Sequence, residues 1–250
     1  MRLIKDDERG NLSLVEYHND KIPRYAILSH TWGTDSEEVT FKDLMEGTGR
    51  NKAGYDKIEF CRKQATSDEL KYFWVDTCCI DKSSSAELSE AVNSMFRWYR
   101  NADRCYVYLT DVSTSGDTTN VQSSSATWGS AFRSSRWFSR GWTLQELIAP
   151  ASVEFFSRDG NRLGSKETLE QDVHEITGIA IEALQGEPPM NFTIEERLAW
   201  AERRETKRQE DKAYSLLGIF NVDMSLRYGE GGERALERLR RKISKSLSCK

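Results

Sequence analysis

The feature that most constrains this chain is an alternation of short apolar runs with helix-like stripes. The runs are Tyr25–Ser29, Tyr72–Asp76 with an extension to Ile80, Cys105–Leu109 and Val153–Phe156. Each is rich in aromatic and β-branched residues and closes on turn residues, the pattern of a buried strand. Between the first two runs, Tyr55, Ile58, Cys61, Arg62 and Ala65 fall at helical spacing. Between the second and third, Leu88, Ala91, Val92, Met95, Phe96, Tyr99 and Ala102 form an i, i+3, i+4, i+7 stripe. Ser84 or Ser85 can cap that helix, with Glu87 in its first turn. Strand, helix, strand, helix, strand predicts parallel βαβ units with right-handed crossovers, hence an α/β domain. Leu12–Tyr17 adds an edge hairpin.

Two segments break this rhythm. Val112–Ser135 is rich in Ser, Thr and Gly and reads as a mobile insertion. After about residue 165 the pattern turns helical only, over Lys166–Thr177, Thr193–Arg204, Asp211–Phe220 and Glu233–Leu247. The expectation is one domain, 1–250, with an α/β body to about 165 and a helical extension over about 166–250. Charge follows the same division. Residues 1–196 carry 22 basic and 32 acidic side chains, and residues 197–250 carry 14 and 8. The acids interspersed in the basic segment point to solvated helix faces rather than a nucleic-acid surface.

No stretch approaches the roughly 20 apolar residues of a membrane span, and mean hydropathy is −0.67. The opening residues turn acidic where a signal peptide would need an apolar run, so a soluble cytoplasmic chain is expected. The five cysteines (Cys61, Cys78, Cys79, Cys105, Cys249) follow no disulfide framework. With only His18, His30 and His174 as nitrogen donors, no zinc spacing emerges either. Buried free thiols and no metal are expected.

In an open parallel sheet, ligands sit beyond the carboxyl ends of the strands. The first run delivers Ser29, His30, Thr31, Trp32 and Gly33 to that edge, and the second delivers Asp76, Thr77 and Cys78. Asp76 lies in an otherwise apolar run, where a carboxylate needs partners or a task. It either closes a loop or takes part in function. In Arg136–Ile148, Gly141 supplies a turn and a helix can start near Thr143, which sets Trp142 and Glu146 on one face. That arrangement suits a planar ring beside a group that meets positive charge, with Arg136 or Arg140 near phosphates. A packed tryptophan and a surface Glu–Arg pair would give the same spacing. No G-x-G-x-x-G, P-loop or G-x-S-x-G motif occurs.

Taken together, these residues resemble the HET (heterokaryon incompatibility) domain of filamentous fungi. The matching blocks are Tyr25-Ala-Ile-Leu-Ser-His-Thr-Trp-Gly33, Tyr72-Phe-Trp-Val-Asp-Thr-Cys-Cys-Ile-Asp-Lys82, Ser139-Arg-Gly-Trp-Thr-Leu-Gln-Glu146 and Glu210-Asp-Lys-Ala-Tyr-Ser-Leu-Leu-Gly-Ile-Phe220, the last followed by Tyr228-Gly-Glu-Gly. The resemblance implies a cell-death effector of fungal non-self recognition, activated by self-association and carried ahead of STAND or NACHT sensor modules in a longer chain. It also implies distant kinship to TIR domains, with their flavodoxin-like, mostly parallel sheet flanked by helices. TIR enzymes cleave NAD through a glutamate in a W-C-x-x-E block. Trp142-Thr-Leu-Gln-Glu146 keeps the Trp and Glu and has Thr143 in place of Cys.

The resulting expectation is an NAD glycohydrolase, with NAD as substrate and no cofactor. Glu146 is the expected catalytic residue. Ser29, His30, Trp32, Asp76, Arg140 and Trp142 are the expected substrate-binding residues. The alternative is a non-catalytic, self-assembling module in which the same tryptophans anchor interfaces. Membrane perturbation through the stripe Leu236, Leu239, Ile243 and Leu247 is a third, weaker reading, since a packed helix explains that stripe equally well.

Overall fold

A computed structural model describes residues 1–7, 10–18, 21–115 and 124–248. Their strands are β1 (Arg2–Asp6), β2 (Leu12–Glu16), β3 (Ala26–His30), β4 (Tyr72–Trp74), β5 (Arg104–Leu109), β6 (Val153–Ser157) and β7 (Arg162–Ser165). They form one sheet in the order β2-β1-β4-β3-β5-β6-β7. The four predicted runs are its centre: β4, β3, β5 and β6 pair in parallel. In chain order these four read 2-1-3-4, as at the start of a flavodoxin-like sheet, and the switch point lies at β3. The edges are antiparallel, with β1 on β2 and β4 and β7 on β6. The predicted hairpin is thus present, with Arg2–Asp6 as its other arm.

The body helices are α1 (Phe41–Glu46), α2 (Tyr55–Ser67), α3 (Asp76–Cys79), α4 (Ser85–Arg100), α5 (Ser124–Arg133) and α6 (Thr143–Ile148). Ser84 is the cap of α4, its hydroxyl accepting from the Glu87 amide, and Ala91, Val92, Met95 and Tyr99 of the predicted stripe are buried. Thr40 and Asp43 form a capping box on α1. Strand pleat separates the two faces. Tyr106, Tyr108 and Phe156 meet Phe60 of α2, whereas Phe155 meets Phe132 and Trp137.

Several expectations are corrected. The second run stops at Trp74 rather than reaching Ile80, because the chain turns at Val75 into the short helix α3. The insertion is not unstructured throughout, since α5 occupies its second half; its residues 116–123 lie outside the described residues. The helical extension is preceded by β7, whose pairing with β6 the sequence pattern did not announce. The extension contains α7 (Glu170–Thr177), α8 (Ile181–Leu184), α9 (Ile194–Glu202), α10 (Asp211–Tyr214) and α11 (Gly232–Ser248). Predicted helix Asp211–Phe220 is therefore only one turn long, after which the chain continues in turns.

On α11, Ala235, Leu239 and Ile243 are buried in the core, while the side chain of Leu247 lies outside the described residues. No described helix is long and apolar enough to cross a membrane. Cys61, Cys78, Cys79 and Cys105 are free and buried, and Cys249 lies outside the described residues.

The extension packs on α4 at a contact that leaves no room for a side chain. A Cβ at Gly218 would lie 2.0 Å from Phe96 Cβ. Gly218→Ala is expected to destabilise the protein by about 1–3 kcal/mol through overpacking. Gly129→Ala, which meets nothing within 4 Å, should be neutral or stabilising by up to about 1 kcal/mol. Urea midpoints measure both, and equal midpoints would show that the extension does not dock as described.

Candidate functional site

The site forms where β3 ends at the switch point. Ser29 and His30 close the strand, and neighbouring strand residues point to opposite faces, so the two side chains take different partners. Ser29 is fully buried. Its hydroxyl accepts from Trp137 Nε1 at 2.8 Å and donates to the carboxylate of Glu146. His30 Nε2 lies 2.9 Å from Asp76 Oδ1, and Asp76 Oδ2 accepts from Trp32 Nε1 at 2.9 Å. Lys82 stacks on the Trp32 ring, 3.7 Å from its centroid.

Glu146 reaches this point because α6 begins in a tightly fastened turn. Thr143 Oγ1 donates to the Trp137 carbonyl at 2.6 Å and lies 2.9 Å from the Arg140 carbonyl. Arg204, at the end of α9 and buried, donates through Nη1 to the Arg140 carbonyl and to Thr143 Oγ1, both at 2.9 Å. The extension thereby holds the first turn of α6 against the body. Trp142 precedes that turn and Glu146 follows one turn later.

His30, Trp32, Asp76, Arg140, Trp142 and Glu146 all line one cavity of about 190 Å³. Six of the seven expected site residues thus share one space. Ser29 does not line it. It is fully buried and stands behind Glu146, to which its hydroxyl donates. The cavity also takes Lys82, Arg208, Asp211 and Tyr228, which the sequence reading assigned no role. Tyr228 Oη donates to Asp211 Oδ1 at 2.9 Å, and the Arg208 guanidinium lies over the Tyr228 ring at 4.3 Å. A signal existed for three of these: Asp211 and Tyr228 sit in the fourth family block and the segment after it, and Lys82 ends the second.

The electrostatics separate the two central carboxyls. Burial pushes the Glu146 pKa up to about 8; the hydrogen bond from Ser29 opposes this, the Asp76 charge adds to it, and Tyr99 and the Arg204 charge oppose it. Asp76 goes the other way. Burial would raise it, but the Lys82 ammonium and the hydrogen bond and charge of His30 hold it well below the usual carboxylate range. One carboxyl is thus largely protonated at neutral pH and the other ionised. Divergent carboxyl environments of this kind are a mark of functional sites. The four described thiols, all buried, offer no such chemistry. Burial pushes Cys78 up to about 12, and its Sγ donates to the Val39 carbonyl.

Fold and site together define an α/β domain with a carboxyl-floored cavity at the switch point of its sheet. Residues 25–133 match the family described as "Heterokaryon incompatibility protein (HET)". Over all 250 residues the chain is 56% identical to the "Vegetative incompatibility protein HET-E-1" of Podospora anserina, of which it spans 18%. The chain belongs to the heterokaryon incompatibility (HET) domain family. No solved structure gives a significant match.

The raised carboxyl has a consequence for stability. The native state keeps the Glu146 proton up to about pH 8, whereas an unfolded glutamate releases it near its ordinary value of about 4.3. Across that interval the native state binds more protons, so stability falls as pH rises. Glu146→Gln should remove this part of the slope, gaining on the wild type between pH 5 and 8. Urea titrations across that range measure it, and parallel pH curves for the two proteins would show that Glu146 is not buried with a raised pKa.

Proposed function

We propose that this domain is a cell-death effector of fungal incompatibility that hydrolyses NAD at the nicotinamide–ribose bond. The observation that carries the reading is Glu146, a buried carboxyl on the floor of a cavity walled by Trp142 and rimmed by cations. Cleavage of that bond turns a pyridinium into a neutral leaving ring and leaves positive charge on the ribose. A strong general acid is unnecessary; a carboxylate against the sugar is what lowers the barrier.

The nicotinamide ring of bound NAD is a pyridinium cation. Its arrival beside Glu146 favours the ionised carboxyl and offsets the burial that keeps it protonated in the empty cavity. The proton passes to solvent as the substrate enters, and the carboxylate faces the ribose as its charge develops; water then bonds to the ribose C1 in place of nicotinamide and gives its proton to the carboxylate. Trp142 gives the ring a flat wall. The Arg140 guanidinium, half-buried at the cavity, is available to a phosphate. Asp76, fixed by His30 and Trp32, orients the Trp32 loop. Ser29 holds Glu146 in place from behind. The chain spans 18% of a much longer relative, which fits sensor modules elsewhere in a parent chain that bring copies of this domain together in the cytoplasm.

Nicotinamide release from NAD, followed by chromatography with the protein concentrated or forcibly oligomerised, tests the reading. Wild type should turn over, and Glu146→Ala and Glu146→Gln should lose at least about a hundredfold. For the wild type, kcat/KM should rise with pH toward the free-protein value of about 8, because the active form is the ionised carboxyl. Undiminished turnover in the variants would remove Glu146 from the mechanism. An inert wild type, together with cell killing retained by Glu146→Ala, would favour a non-catalytic assembly module.

A further inference from the structure

The cavity over Glu146, at about 190 Å³, is smaller than the roughly 300–1,000 Å³ of pockets that enclose a drug-sized ligand. It suits a nicotinamide with its ribose and leaves the other nucleotide outside. A second cavity, of about 490 Å³, lies across Trp32, whose side chain lines both. It opens where Thr31, Thr110 and Arg158 follow β3, β5 and β6, the edge at which sheets of this strand order hold their ligands.

The polar groups of this second cavity fall into two sets. Glu37 is occupied by Thr34, Glu38 by Lys57 and the Gly33 amide, and Asp159 by Ser113 and Thr114. The side chain of Asp56 has no hydrogen bond or ion pair among the described residues. Among the described residues the guanidiniums of Arg158 and Arg136 make only long contacts, at 3.9 Å to Asp159 and 3.6 Å to Asp111, and their side chains are 60% and 67% exposed. What remains on offer is one carboxylate acceptor and two forked cations. A carboxylate pairs with the hydroxyls of a ribose, and forked cations pair with phosphate oxygens.

We infer that the second cavity is a subsite for the adenosine-phosphate half of a dinucleotide, with Trp32 as the partition between the two halves. This rests on the NAD reading for what occupies the first cavity. Asp56 takes the adenosine ribose and Arg158 and Arg136 take the phosphates, so the site selects dinucleotides over mononucleotides. Asp56 and Arg158 are exposed, and removing their side chains takes nothing from the core.

Calorimetric titration with ADP, alongside turnover of NAD and nicotinamide mononucleotide, decides the matter. Wild type and Glu146→Ala should bind ADP equally, while Asp56→Ala and Arg158→Ala should bind it at least tenfold more weakly. The latter two should raise KM for NAD by a similar factor, with kcat retained and KM for nicotinamide mononucleotide unchanged. A wild type that does not bind ADP, or Asp56→Ala and Arg158→Ala proteins that bind it normally, would overturn the subsite. A wild type that binds ADP through these residues but releases no nicotinamide would uphold the subsite and end the NAD hydrolysis reading.

Discussion

The contact on which the rest of the site depends is the hydrogen bond between the buried hydroxyl of Ser29 and the carboxyl of Glu146. A carboxyl taken out of water is costly unless it is hydrogen-bonded or neutral. Here both conditions operate: burial favours the protonated form, and Ser29, itself held by Trp137, fixes the group in position. The contact joins the end of β3, the turn Arg136–Ser139 and helix α6 in one buried network. Asp76, the first residue of α3 just after β4, is stabilised in the opposite state by Lys82 and His30. The two carboxyls therefore present different chemistry within one cavity, and the difference arises from burial and neighbouring charge rather than from residue type.

The helical extension belongs to this arrangement. Arg204 fastens the start of α6 through the Arg140 carbonyl and Thr143, while Asp211 accepts from Tyr228. The matched family region ends at residue 133, before Glu146, Arg204, Asp211 or Tyr228. The similarity to the Podospora anserina protein, 56% identical overall, extends over the whole chain. Structurally, the site is divided between the sheet edge and the extension, and neither part alone encloses the cavity.

Much of this was legible in the sequence, for identifiable reasons. Short runs bounded by turns marked β3, β4, β5 and β6, because strands buried on both faces read as continuous apolar segments. The stripe on α4 and the Trp142–Glu146 spacing were legible because a helix repeats every 3.6 residues. β7 was not legible: Arg162-Leu-Gly-Ser165 has no apolar alternation and exists through its pairing with β6. The run Asp211–Phe220 looked helical in composition yet turns after Tyr214, passing Phe96 at Gly218, where a Cβ would collide. Tertiary contact also decided the roles of Ser29 and Arg204. Nothing in Ala-Ile-Leu-Ser-His says that the serine faces a carboxyl 117 positions later.

The most direct test of the central claim is the protonation state of Glu146, read from the carboxyl carbon shift of labelled glutamate in NMR spectra across pH, assigned with Glu146→Gln. A titration midpoint near 8 in the free protein, moving down when NAD occupies the cavity, is the expected result. A midpoint between 4 and 5, unmoved by NAD, would contradict a buried neutral carboxyl that ionises to meet a cation.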